Sequence, residues 1–297
     1  MNANTKEASA FTQRNPDSKV RELPLEAAMK TLWGAASMPF GSACSTPFET
    51  EAYEAVRTRL LQFIGLRTCG VLHAANGVGK SYLVGSVLES LPEKAWQTHY
   101  LSHSSLSGSD LLRALCRQAG IVPRMRRSDN VASLEEHWAE LGSRQALVVL
   151  DEAQNLSVTA LEEIRLLTCA RRDTRQPFSL LLVGDDTLLP RLKMAVNRPL
   201  LARISYRLTL QALNPDVAAS YLQARLRAAG IHADPFEPAA LDLIVAAADG
   251  LPRTLNHLAA RSLENAARQR SSAVTTGHVA SALEQLPWLA PLPGELS

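Results

Sequence analysis

One junction constrains this chain more than any other feature. TCGVLHA (68–74) is a short apolar run that reads as a strand, and it feeds directly into ANGVGKS (75–81), where a helical segment opens at Lys80 and runs to Leu91. A glycine loop between a strand and a helix aims consecutive backbone N–H groups at one point, and the helix N-terminus adds its positive end. Such a junction is built to hold a phosphate. The full pattern is a glycine, four free positions, then Gly-Lys and Ser or Thr. Gly79, Lys80 and Ser81 are in place and Gly77 is retained, but Ala74 stands where the first glycine belongs. Its methyl matters only if that position needs a positive φ or very close packing. The expected phosphate-holding set is Asn76, Gly77, Val78, Gly79, Lys80, Ser81 and Tyr82, with Lys80 on the β and γ phosphates of ATP and Ser81 on Mg2+.

ALVVLDEAQNL (146–156) adds a second constraint. ALVVL is a continuous apolar run of the kind buried on both faces of a parallel sheet. It delivers Asp151 and Glu152 at its C-terminal end, where two adjacent carboxylates would be costly without a partner. A metal solves the problem: Asp151 contacts the Mg2+ shell, and Glu152 polarises an attacking water. An exposed acidic turn is the plainer alternative. Further on, SLLLVG (179–184) is followed by Asp185, which is either a polar sensor orienting that water or a turn former and helix cap.

Around these motifs, short apolar strands (68–74, 97–101, 146–150, 179–184, 205–210) are separated by helical segments. This arrangement predicts an α/β fold, a P-loop core with a parallel sheet flanked by helices. From Asn214-Pro215 onward only helices are expected, at 215–229, 237–248, 252–268 and 275–285, forming a small all-helical lid. The expected division is an N-terminal arm over 1–47, an α/β domain over 48–210, the lid over 211–286 and an irregular tail over 287–297. Trp33 and Phe40 imply that part of the arm packs on something, either its own body or a partner.

Composition excludes some classes. With 46% apolar and 20% charged residues over 297 positions, the chain reads as globular. The net charge of +2 means that any nucleic-acid contact must come from local patches. Cys44, Cys69, Cys116 and Cys169 have no metal-knuckle or CxxC spacing. The polar N-terminus has no signal-peptide core, and no apolar run reaches the roughly 18 residues of a membrane span. The expectation is a cytoplasmic bacterial protein with no membrane contact.

With these motifs in hand, the chain resembles AAA+ ATPases of the ExeA-like and transposon helper group, which includes the TnsC, TniB and MuB transposition ATPases. The similarity runs from about Pro39 to Leu283. It rests on HAANGVGKS, on LDEAQNLSVTALEEIRLL (150–167), on LLVGDDTLLPRL, on RPLLARISYRLTL (198–210) and on GLPRTLNHLAARSLENA in the lid. The resemblance implies that Arg203, or in reserve Arg198, reaches a neighbouring subunit's ATP, and that Arg253 contacts the γ-phosphate from the lid. Asp185 takes a position where glutamine is commoner in the group.

Two basic clusters, Arg124, Arg126 and Arg127 and then Arg171, Arg172 and Arg175, could form a track for the phosphate backbone once repeated around an assembly. No base-reading motif accompanies them. The reading that follows is an ATPase using ATP and Mg2+ that forms a homo-oligomeric ring or filament on double-stranded DNA and recruits an integrase-like transposase. The alternatives are an ExeA-like ATPase that supports assembly of a secretion machine, and a nucleotide-gated scaffold with little turnover.

Overall fold

The computed structural model describes residues 24–41, 48–102, 106–169 and 176–286. Its centre is a five-stranded sheet in the order β2-β3-β4-β1-β5, with every neighbouring pair parallel. The strands are β1 (Cys69–His73), β2 (Trp96–Leu101), β3 (Gln145–Leu150), β4 (Phe178–Gly184) and β5 (Ile204–Thr209). Every residue of β1 and β4 is buried, as is all of β3 beyond Gln145. β5, at an edge, is mostly half-buried or exposed. Successive strand residues point to opposite faces, and both faces are covered. Val71, Val148, Leu180 and Leu182 pack with Leu111, Leu115, Leu134 and Ile164. These come from α4 (Gly108–Gln118), α5 (Arg127–Ala139) and α6 (Val158–Leu167). On the other face Leu72, Val149, Leu181 and Val183 pack with Leu60, Phe63, Leu83 and Val87, from α2 (Glu51–Ile64) and α3 (Lys80–Ser90).

After the short helices α7 (Leu188–Lys193) and α8 (Arg198–Leu201), the chain crosses β5 into α9 (Pro215–Ala228), α10 (Pro238–Ala248), α11 (Pro252–Arg268) and α12 (Thr276–Glu284). Their caps follow the sequence. The Asn214 side chain accepts from Val217 N–H, and Thr275 with His278 closes a capping box. An additional helix joins this group from the other end of the chain. α1 (Pro24–Trp33) and the turn after it place Met29 and Phe40 in the same core as Tyr221, Leu255 and Leu263, and Trp33 Nε1–H donates to Ser272 O at 2.8 Å. Trp33 and Phe40 therefore pack on the chain's own helical region. No helix among the described residues is long and apolar enough to cross a membrane.

The sequence reading contains no helix at α5, and the reason is visible in its burial. Only Asn130, Leu134 and Trp138 are buried, one residue per turn, and the first of them is polar. Arg126 is consequently the N-cap of α5 and Arg127 its first residue, so only Arg124 of that cluster lies wholly in a loop. Arg171, Arg172 and Arg175 lie outside the described residues, as do 1–23 and 287–297.

Candidate nucleotide site

β1 ends at His73, and the glycine loop crosses its C-terminal end before α3 begins. Gly77 has φ 86° and Gly79 φ 108°, both left-handed conformations that a side chain would strain. Ala74 is not among the residues with positive φ. It is 2% exposed, its methyl lies in the core behind the loop, and its N–H donates to Gly184 O at 3.3 Å. The departure at Ala74 thus falls where no glycine conformation is required.

Lys80, only 6% exposed, donates from Nζ to Ala74 O at 2.8 Å and to Ala75 O at 3.1 Å. Burial lowers its pKa, opposed by the carboxylates of Glu152, Asp151, Asp185 and Asp186. An ammonium facing several carboxylates at the mouth of a glycine loop is a charge arrangement suited to a metal-bound polyphosphate.

The strand-end acids are brought to the same place. Ser81 Oγ donates to Asp151 Oδ2 at 2.9 Å, so the hydroxyl and the carboxylate expected at Mg2+ already converge. Tyr100 from β2 donates to the same Oδ2 at 2.5 Å. Burial, then its bond to Asp151 and that carboxylate's charge, push the Tyr100 pKa well above the usual tyrosine value, and the phenol remains a donor. Among the described residues no three His, Cys, Asp or Glu side chains form a metal cage of protein groups alone. Mg2+ does not need one, since it binds through one or two protein oxygens together with substrate phosphates and water. Glu152, at φ 54° and ψ 37°, faces a cavity of about 830 Å3 that the glycine loop also lines.

The far wall of that cavity comes from the helical region. Arg253, at the start of α11, donates its backbone N–H to Gly77 O at 3.2 Å, and a Cβ on Gly77 would lie 3.0 Å from Arg253 Cβ. Tyr53, Tyr82 and Tyr221 line the cavity too, with Phe48 edge-on to Tyr221 at 5.3 Å between ring centres and Arg225 over the Tyr221 ring at 5.0 Å. Asp185 lies one step back. Its Oδ2 accepts from Asn76 Nδ2 at 3.4 Å and its Oδ1 from the Thr187 N–H and hydroxyl. Burial acts to raise its pKa, but the Thr187 and Asn76 bonds and the Lys80 charge outweigh it, and the net shift is downward.

The structure therefore brings together residues 76–82, Asp151, Glu152, Asp185 and Arg253. It does not bring Arg203 or Arg198 to this cavity. Arg203 is exposed at the C-terminal end of α6, with its guanidinium on Thr168 O (3.4 Å) and Cys169 Sγ (3.1 Å), and Arg198 is exposed at the start of α8. Arg127 is occupied by a two-pronged ion pair with Glu163 at 2.5 and 2.6 Å. Sequence reasoning missed Tyr100, Phe48, Tyr221 and any role for Gln154. The first three reach the site through strand pairing and helix packing that no local pattern encodes.

A parallel sheet in this order, a glycine loop after β1, an acidic pair after β3 and a following helical region make this the α/β AAA+ P-loop fold. Comparison with known proteins agrees. Residues 64–192 match the AAA domain family model. The chain is 29% identical over 216 residues to General secretion pathway protein A of Aeromonas hydrophila, a match covering 69% of this chain and 38% of that one. It is 26% identical over 140 residues to the Mu-like prophage FluMu DNA transposition protein B of Haemophilus influenzae, covering 47% and 46%. The chain spans less than half the length of either curated relative. Among solved structures, Cdc6p from Pyrobaculum aerophilum superposes with a TM-score of 0.68 at 18% identity, over 84% of this chain and 72% of that one.

Proposed function

We propose that this chain is an ATP-hydrolysing AAA+ switch whose site is completed by a neighbouring copy. The observation that carries the reading is the convergence of Lys80, Ser81, Asp151 and Glu152 on one cavity closed by Arg253. The glycine loop and Lys80 hold the phosphates, the aromatic wall takes the base, and Ser81 with Asp151 would hold Mg2+. Bound there, the ion would neutralise phosphate charge during transfer. Glu152 orients a water against the γ-phosphorus and takes its proton. The new P–O bond forms as the bond to the bridging oxygen of ADP breaks, leaving ADP and phosphate.

A side chain that serves a neighbour's ATP has to point away from its own site, as Arg203 does. The segment between α7 and α8, which packs on α6, exposes Met194 and Val196 (54% and 52%) just before Arg198, an apolar surface suited to a second copy of the chain. Isolated protomers should therefore turn over slowly, with specific activity rising with protein concentration. Activity that is independent of concentration would count against the shared site.

The relatives bear on what the switch drives. The match with broader coverage of this chain is the secretion pathway protein, and on that ground assembly of a secretion machine is the better supported role. A second reading, DNA-directed assembly that serves transposition, has the shorter match to a DNA transposition protein and one structural observation in its favour. The loop between α4 and α5 carries Arg124 and Arg126, both exposed, around Met125, which is 90% exposed. The loop is braced from beneath: buried Asn130 accepts from Arg124 N–H at 2.7 Å and donates to Arg124 O at 3.0 Å. Sedimentation of the ATP-bound protein with and without duplex DNA separates the readings. DNA-dependent assembly supports the second, and assembly indifferent to DNA supports the first.

A further inference from the structure

The acidic pair belongs to a longer run of hydrogen bonds. Gln154, two residues past Glu152 and 8% exposed, donates from Nε2 to Glu152 Oε2 at 2.6 Å. Its Oε1 accepts from the backbone N–H of Asp185 at 3.3 Å. A backbone N–H can only donate, so this contact orients the amide and turns its NH2 end toward Glu152. Asp185 is tied to Asn76 in the glycine loop, and Asn76 lines the cavity. A chain of hydrogen bonds thus leads from the glycine loop, across the end of β4, to the carboxylate of Glu152. Gly184 leaves room for it, since a Cβ there would lie 2.6 Å from Gln154 Oε1 and 2.8 Å from Leu188 Cδ2. Glu152 itself holds a left-handed backbone conformation that non-glycine residues seldom adopt, with its N–H on Asp151 Oδ1 at 2.9 Å.

We propose that Gln154 is a positioning residue for hydrolysis, which sets Glu152 and links that setting to the phosphate end of the cavity through Asp185 and Asn76. This rests on the reading of the cavity as an ATP site. An amide bonded to a carboxylate is a charge-assisted contact that occupies one oxygen and fixes the plane of the group. The other oxygen is left for the water. Glutamine cannot take a proton from that water, so its part is to aim the base. Anything that moves Asn76 or Asp185, as an arriving γ-phosphate would, is transmitted to Glu152 through the buried amide. A glutamine that only filled space beneath Asp185 would leave the rate of the chemical step unchanged when replaced by an apolar side chain of similar size.

The test uses the full chain with Gln154→Leu and Gln154→Glu, titrating a fluorescent ATP analogue and measuring phosphate release. Gln154→Leu should bind MgATP within about twofold of the parent while kcat falls about 10²-fold, the scale of loss expected for a misaimed base. Gln154→Glu keeps an acceptor for the Asp185 N–H but replaces the amide donor with a second carboxylate against Glu152, and turnover should fall at least as far. Parental turnover in either variant overturns the proposal. Should the leucine variant fail to fold, turnover in Gln154→Glu decides alone. A parent protein that never binds MgATP would remove the ATP site and this role together, whereas binding with unchanged turnover in Gln154→Leu removes only the role.

Discussion

Ala74 shows how much of a site depends on backbone conformation and how little on matching a pattern. The strained positions of the loop are Gly77 and Gly79, and both are glycine; Ala74 has no positive φ and its methyl is buried. Restoring the pattern with Ala74→Gly should leave nucleotide affinity unchanged and cost about 1 kcal/mol of stability, from added chain entropy and removal of a buried methyl. Denaturant melts beside ATP titrations would check both. Glu152→Gln should keep MgATP affinity, lose about 10²-fold or more in turnover, and leave long-lived oligomers visible by light scattering, because the water loses its base while the phosphate grip is intact. Lys80, Ser81, Asp151 and Glu152 were legible in the sequence because chain geometry places strand-end and loop residues together. Tyr100 and Gln154 were not, since their partners come through the β2–β3 register and the end of β4.

Among the elements, the buried strands were readable because a parallel sheet covered on both faces demands unbroken apolar runs. The lid helices were readable because Asn214, Gly230, Gly250 and Thr275 mark their limits in the sequence. α5 was not, with its narrow stripe of Asn130, Leu134 and Trp138. That helix changes how its arginines are used. Arg127→Ala should destabilise the fold by about 1 kcal/mol, because Glu163 loses its partner, and should leave any DNA affinity nearly untouched. Arg124→Ala with Arg126→Ala should do the reverse. Stability should hold, while duplex affinity falls and the slope of log affinity against log salt flattens by about 1 for each phosphate no longer neutralised. Equal salt slopes for the double variant and the parent would place the DNA-binding surface elsewhere or nowhere.

On the scale of the whole molecule, the cavity lined by the glycine loop lies between the α/β body and a helical region that includes α1 from the other end of the chain. Arg203 does not line it and sits at the C-terminal end of α6. The proposed division of the site between subunits predicts complementation. Lys80→Ala lacks a phosphate grip but keeps its arginine, and Arg203→Ala has the opposite defect. Each should be nearly inactive alone, and mixing them should restore part of the ATPase activity, as intact sites on one variant meet intact arginines on the other. No recovery on mixing would show that Arg203 does not serve a neighbour. The most direct test of the phosphate grip is calorimetric titration of MgATP into the parent protein and into Lys80→Ala. One saturable site per chain is expected in the parent, with its loss in the variant; equal binding by both, or none by either, would contradict an ATP site at this loop.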